Sequence, residues 1–128
     1  MKYLLDTHTF LWWDLHSARL SKRVKDLLED PTTDVILSVV NVWEIVIKSA
    51  IGKITLDDPI ESIVESQLQN HGFQLLSVEL NHVFRLKVLP LHHKDPFDRL
   101  LIAQALVEDA IVLTVDPLFA HYPVKTFW

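Results

Sequence analysis

The sequence predicts an α/β protein, a three-layer α/β/α sandwich around a mostly parallel sheet of four to five strands. Two observations carry this. Short apolar runs rich in aliphatic and β-branched residues alternate with longer segments of helical periodicity from one end of the chain to the other, the pattern of crossover units on a parallel sheet. Only two glycines and six prolines occur in 128 residues, so long loops are few. With 49% hydrophobic and 23% charged residues, the composition is that of a globular chain rather than a disordered one. The length suits one domain over residues 1–128, and no composition shift, repeat or low-complexity stretch divides it.

The elements follow in order. Lys2 to Leu5 reads as a short buried strand closed by Asp6. From Thr7, a candidate N-cap, to Leu15, the residues Phe10, Leu11 and Trp13 line a helix face. Ser21 caps a second helix, with Val24, Leu27 and Leu28 at helical spacing, and Asp30-Pro31 ends it. Asp34 to Ser38 is the second strand. A helix follows from about Val39 to Ala50, with Val42, Trp43, Val46 and Ile47 on one side and Gly52 just past its end. Pro59 opens the next helix in its first turn; Ile60, Ile63, Val64 and Leu68 are its apolar positions, and it ends near His71-Gly72. Phe73 to Val78 is a third strand and Asn81 to Val88 a short helix. Asp95-Pro96-Phe97-Asp98 opens a strongly apolar helix that runs to about Glu108. Ile111 to Val115 is the fourth strand, and Val124 to Phe127 a fifth at the edge.

The chemistry is suggested by acids. In an open parallel sheet, ligands bind where strands end and helices begin. Asp6 closes the first strand, Asp116 follows the fourth, Glu44 lies early in the helix after the second, and Asp98 lies in the first turn of its own helix. Four carboxylates from distant segments therefore converge on one edge. Like charges raise one another's pKa, and hard divalent ions with oxygen ligands remove that cost. One ion, or two about 4 Å apart, activates water and stabilises charge on a phosphodiester.

The segments Leu4-Leu5-Asp6-Thr7-His8, Ser38 to Lys48, Asp95 to Ala105 and Leu113-Thr114-Val115-Asp116 resemble, in order, the successive motifs of PIN-domain nucleases. They are most similar to the branch found as toxins in VapC-like toxin–antitoxin pairs. The resemblance spans nearly the whole chain. It implies a PIN-like fold, endoribonuclease activity dependent on Mg2+ or Mn2+, a homodimer, and inhibition by a cognate antitoxin protein. Residue by residue it implies Asp6, Glu44 and Asp98 as the core acids and metal ligands. Asp116 is the fourth, at a place where the family is less uniform.

Each residue also has a plainer role. Glu44 and Lys48 have the spacing of a surface ion pair worth a few tenths of a kcal/mol. Asp95 is expected to cap its helix, with Pro96 at the first position and Asp98 three residues after the cap, so that Asp95 caps while Asp98 reaches the site. Asp116-Pro117 is a turn signal. Thr7 and Thr114 stand close enough to hold a carboxylate or a metal-bound water, and whether Asp95 or Thr114 joins the site is open. Arg99 is expected in a structural salt bridge. The seven histidines lack metal-site spacing and are expected at caps or on the surface; of Trp12, Trp13, Trp43 and Trp128, two fit helix faces, where core packing is commoner than stacking on bases.

Several classes are excluded. Without cysteines there is no disulfide scaffold and no thiolate zinc site, and a reducing compartment is expected. Gly52 and Gly72 stand alone, so no phosphate-binding glycine loop exists. The opening residues form no signal peptide, and no window reaches the roughly 18 apolar residues of a membrane span, which makes a soluble cytoplasmic protein the expectation. A net charge of −5 runs against a general nucleic-acid binder unless bound cations reverse the local sign. Two alternatives remain: a catalytically inactive PIN-like binding module, and an Asp-dependent phosphatase with Asp6 as nucleophile. The phosphatase pattern needs a second acid two residues after Asp6, where His8 stands.

Overall fold

A computed structural model describes all residues, 1–128. The chain runs β1 (Lys2–Leu5), α1 (Thr7–Asp14), α2 (Lys22–Glu29), β2 (Asp34–Ser38), α3 (Val39–Ala50), α4 (Ile60–Asn70), β3 (Gln74–Leu76), α5 (Leu80–Arg85), α6 (Pro96–Glu108), β4 (Ala110–Leu113) and β5 (Thr126–Phe127). Short 3-10 turns at Leu86–Val88 and Pro117–His121 complete it. Every strand pairing is parallel, and the order across the sheet is β3-β2-β1-β4-β5. The chain therefore builds outward from β1 to β3, then crosses to β4 on the other side of β1. The ends of β1 and β4 lie at the point where the strand order reverses, the place where an open α/β sheet has room for a ligand.

Alternation along the strands divides the core in two. Leu4, Ile36 and Val112 face one layer, where they pack against Leu101, Ile102, Ala105 and Phe119. Leu5, Val35, Leu37 and Leu113 face the other, against Phe10, Trp13, Val24, Leu28 and Ile63. That is the period of two expected of strands buried on both faces. Helix α6 is buried continuously from Leu100 to Ala105, which explains why its sequence is apolar almost all round. No helix is long and apolar enough to cross a membrane.

Three local expectations are corrected. Asp6, not Thr7, caps α1, because its own carboxylate accepts the Thr7 N–H at 2.7 Å. Pro59 is the residue before α4 rather than its first helical position. The face of α3 carrying Trp43, Val46 and Ile47 is turned outward, Trp43 being half exposed. The residues buried beneath α3 are Val40, Asn41, Glu44 and Ile45. The helix is oriented by the polar pair: Asn41 donates to the Leu5 carbonyl and the Thr7 hydroxyl, both at 3.0 Å, and accepts the Ser38 N–H. Buried polar groups with complete hydrogen bonding fix an orientation more firmly than apolar residues do. Gly52, at φ +76°, supplies the left-handed residue that ends α3.

Candidate functional site

Asp6 stands at the carboxyl end of β1. Its Oδ1 accepts from Thr7 N, and its Oδ2 accepts from the Thr114 hydroxyl at 2.8 Å. Thr114, just past β4, also accepts the N–H of Asp116 at 3.0 Å, so one hydroxyl ties the two acids together across adjacent strands. Asp116 caps the following 3-10 turn by accepting from Leu118 N. The turn-initiating role of Asp116 and its place beside the site therefore coexist.

Glu44 is almost wholly buried, in the second turn of α3. Its Oε1 accepts the Thr7 hydroxyl at 2.6 Å, and its Oε2 is held by the Lys48 ammonium. The i,i+4 pair expected from the sequence is thus present, but it lies inside the site and not on an open surface. Lys48 Nζ also lies 3.6 Å from Asp95 Oδ2. Asp95 caps α6 through Phe97 N and Asp98 N, with Pro96 at the first helical position. Capping leaves Asp95 at the edge of the acid cluster.

Asp98 projects from the first turn of α6, and no hydrogen-bond donor is aligned on its carboxylate. Burial raises its pKa first, and the charges of Asp6, Asp95, Glu44 and Asp116 add to that, pushing it up to about 8. Asp6 is raised as well, by burial, against the lowering effect of the Thr114 hydroxyl. Lys48 loses by burial, but the hydrogen bond and charge of Glu44, with Asp95 and Asp98, outweigh that and raise its pKa. The cluster holds more negative charge than its surroundings neutralise.

All four predicted acids are brought to this one edge. Two sets of three groups have ligand atoms within 4.8 Å of one another: Glu44, Asp95 and Asp98, and His93, Asp98 and Asp116. His93 is the residue that sequence reasoning missed. Its Nε2 lies 2.9 Å from Asp98 Oδ2 and 3.5 Å from Asp116 Oδ2, yet it is buried without an aligned hydrogen-bond partner. His93 Nδ1 accepts the Asp95 N–H at 3.2 Å, so the neutral ring carries its proton on Nε2, as a donor beside the acids. The only sequence signal for this was the local spacing His93-x-Asp95 ahead of Asp98. Arg99 forms no salt bridge. It donates instead to the Pro90 and Leu86 carbonyls and the Tyr122 hydroxyl, tying the loop before α6 in place.

A site of crowded carboxylates, one of them without a donor and driven toward its neutral form, matches hard divalent cations in donor type and charge. None of the concave pockets on the surface is lined by these acids.

The chain belongs to the PIN-domain family, whose model matches residues 3–125. Members of that family are typically nucleases, which places the protein among hydrolases of nucleic acids. Its fold is shared with a chain of the VapBC2 complex of Rickettsia felis, solved bound to a DNA fragment from its promoter. The TM-score is 0.75 at 16% identity, over 100% of this chain and 99% of that one. FitAcB of Neisseria gonorrhoeae matches with a TM-score of 0.69 at 21% identity, over 98% and 96% of the two chains. VapBC-1 of nontypeable Haemophilus influenzae matches with 0.63 at 18%, over 99% and 97%. No curated protein matches the chain by sequence.

Proposed function

We propose that this protein is a metal-dependent endoribonuclease, the toxin of a cytoplasmic toxin–antitoxin pair, with Asp6, Glu44, Asp98 and Asp116 as its catalytic carboxylates. The observation that carries the reading is the convergence of these four acids from distant segments, with no hydrogen-bond donor aligned on Asp98. Mg2+ or Mn2+ is the cofactor this donor set fits. When bound, such an ion supplies an activated water and offsets charge on the scissile phosphate.

The chain's own residues do the positioning. Thr7 orients Asp6 through its N–H and Glu44 through its hydroxyl, and Thr114 orients Asp6 and the backbone of Asp116. Asp98 is the carboxylate free to take a new partner. The buried Nε2–H of His93 faces the same space and offers a donor to a phosphate oxygen, where an unmet donor otherwise costs about 1–3 kcal/mol. RNA is the substrate that the resemblance to VapC-like toxins implies.

The partners follow from the resemblance and from the surface. The outward face of α3, with Trp43, Val46 and Ile47 exposed, supplies apolar area for pairing two copies. An antitoxin segment inhibits by placing a basic side chain among the carboxylates, and Lys48 is an internal example of a cation accommodated there. The neighbouring VapBC structures are complexes of this kind of pair, which supports the partner by analogy of fold.

The test is cleavage of a mixed cellular RNA pool by purified protein with Mg2+, with Mn2+ and with chelator. Metal-dependent cutting supports the reading. No cutting by folded, antitoxin-free protein under any condition favours a binding module. Sedimentation at micromolar concentration that finds monomers alone counts against the homodimer.

A further inference from the structure

The acid cluster offers two groups of ligands that share Asp98, and so invites two ions. The two halves are not equally open. On the Glu44 side a cation is already present: the Lys48 ammonium is hydrogen-bonded to Glu44 Oε2 and lies 3.6 Å from Asp95 Oδ2. The other Glu44 oxygen accepts the Thr7 hydroxyl at 2.6 Å, and Asp95 spends Oδ1 on the first turn of α6. Both Glu44 oxygens therefore already hold a donor, one of them a full positive charge, and a divalent ion between Glu44 and Asp95 would have to sit against that ammonium. On the other side, Asp98 has no aligned donor, and Asp116 has committed only Oδ1, to Leu118 N. His93 carries its proton on the nitrogen nearest these oxygens, so it is not a ligand there, and the groups left to hold an ion on this side are the carboxylates of Asp98 and Asp116.

We propose that Lys48 is the resident cation of the Glu44–Asp95 half of the site, so that the chain binds a single divalent ion, on the Asp98–Asp116 side. The inference rests on the metal-dependent reading above and refines it: Glu44 contributes its charge through Lys48 and not as a ligand. Lys48 reaches the site from the next turn of the same helix, and its side chain is only 23% exposed, so its head is held rather than free in solvent. A compact ammonium with three donors replaces an ion at a pair of carboxylates without needing water ligands of its own. The position is also covalently guaranteed, since residues four apart on a helix stay adjacent.

The experiment is Mn2+ titration of the full-length, antitoxin-free protein, with free Mn2+ followed by electron paramagnetic resonance. The parent is expected to bind one Mn2+ per chain and the Lys48→Gln variant two. In the parent background, Glu44→Gln is expected to change Mn2+ affinity by less than about tenfold, whereas Asp98→Asn abolishes binding. Two ions in the parent, one ion in a natively folded Lys48→Gln protein, or a loss in Glu44→Gln as large as in Asp98→Asn each overturn the proposal. Should Lys48→Gln fail to fold, the parent stoichiometry and the Glu44→Gln affinity still decide it. Absence of Mn2+ binding to every form overturns the metal reading itself, whereas two ions with intact Mn2+-dependent cleavage overturn only the role of Lys48.

Discussion

Replacing Asp98 by Asn removes a residue proposed as essential for activity, and it should make the metal-free protein more stable. In the fold Asp98 ionises at about 8, against 3.8 for an unperturbed carboxyl. The folded state thus holds a proton that the unfolded chain gives up, and a raised acid destabilises the fold progressively as pH climbs from about 4 to about 8. Each pH unit of that interval corresponds to about 1.4 kcal/mol, giving a ceiling on the order of 6 kcal/mol. The side chain retains slight exposure and Lys48 lies close, so a gain of about 1–3 kcal/mol above pH 8 is the working figure. For a chain of this length that is a rise of roughly 4–12 °C in melting temperature. No hydrogen bond to the side chain is lost in Asn. The assay is thermal unfolding by circular dichroism in chelator, parent beside variant, from pH 4 to pH 9. The gap should be smallest at pH 4, widen through pH 8, and close when Mn2+ is added, because the ion relieves the parent alone. If the variant melts no higher than the parent at pH 8.5, or the gap is independent of pH, the Asp98 carboxyl is not held in a site that resists its ionisation.

Further predictions concern the supporting residues. Thr114→Val keeps the shape but deletes the donor to Asp6, so stability should fall by about 1–2 kcal/mol in denaturant titration. RNA cleavage should fall further than that loss of folded protein explains. At His93, Asn retains an acceptor for the Asp95 N–H but lacks the distal donor, whereas Gln places an N–H where Nε2 stands. Single-turnover cleavage should therefore be slowed at least about tenfold in His93→Asn and substantially restored in His93→Gln; equal loss in both makes the ring's role purely structural. Turnover of a generic phosphate monoester should be undetectable, since His8 is exposed and provides no acid opposite Asp6. Steady monoester hydrolysis dependent on Asp6 would restore the phosphatase alternative.

The segments that were legible in the sequence are those in which local chemistry and tertiary role agree. β1 through Leu5, the Ser21 cap of α2 and the Asp95-Pro96 start of α6 all follow from short-range signals that the tertiary structure leaves in force. The α3 face was misread because its most apolar side, with Trp43, Val46 and Ile47, is not its core side. The buried positions include Asn41 and Glu44, and only knowledge of the Leu5 carbonyl and the Thr7 hydroxyl tells that these are satisfied there. Among the acids, spacing along the chain located all four, because strand ends and helix starts must meet at one edge. Spacing did not reveal His93, whose placement depends on how the Pro90–Asp95 loop is tied by Arg99 and Tyr122 to its surroundings. Nor did it reveal that Lys48 turns inward. Its partner Glu44 is buried, and an i,i+4 pair looks the same in sequence whichever way the helix faces.

Whether Asp6 and its three companion acids form a metal-dependent site for cutting RNA is decided by offering the antitoxin-free protein single-stranded RNA and DNA of one sequence with Mn2+, beside its Asp6→Asn variant. The parent is expected to cleave the RNA and leave the DNA intact, with no cleavage by the variant and none in chelator. RNA cleavage that survives Asp6→Asn in protein free of contaminating nuclease, or equal cleavage of the DNA, overturns this assignment.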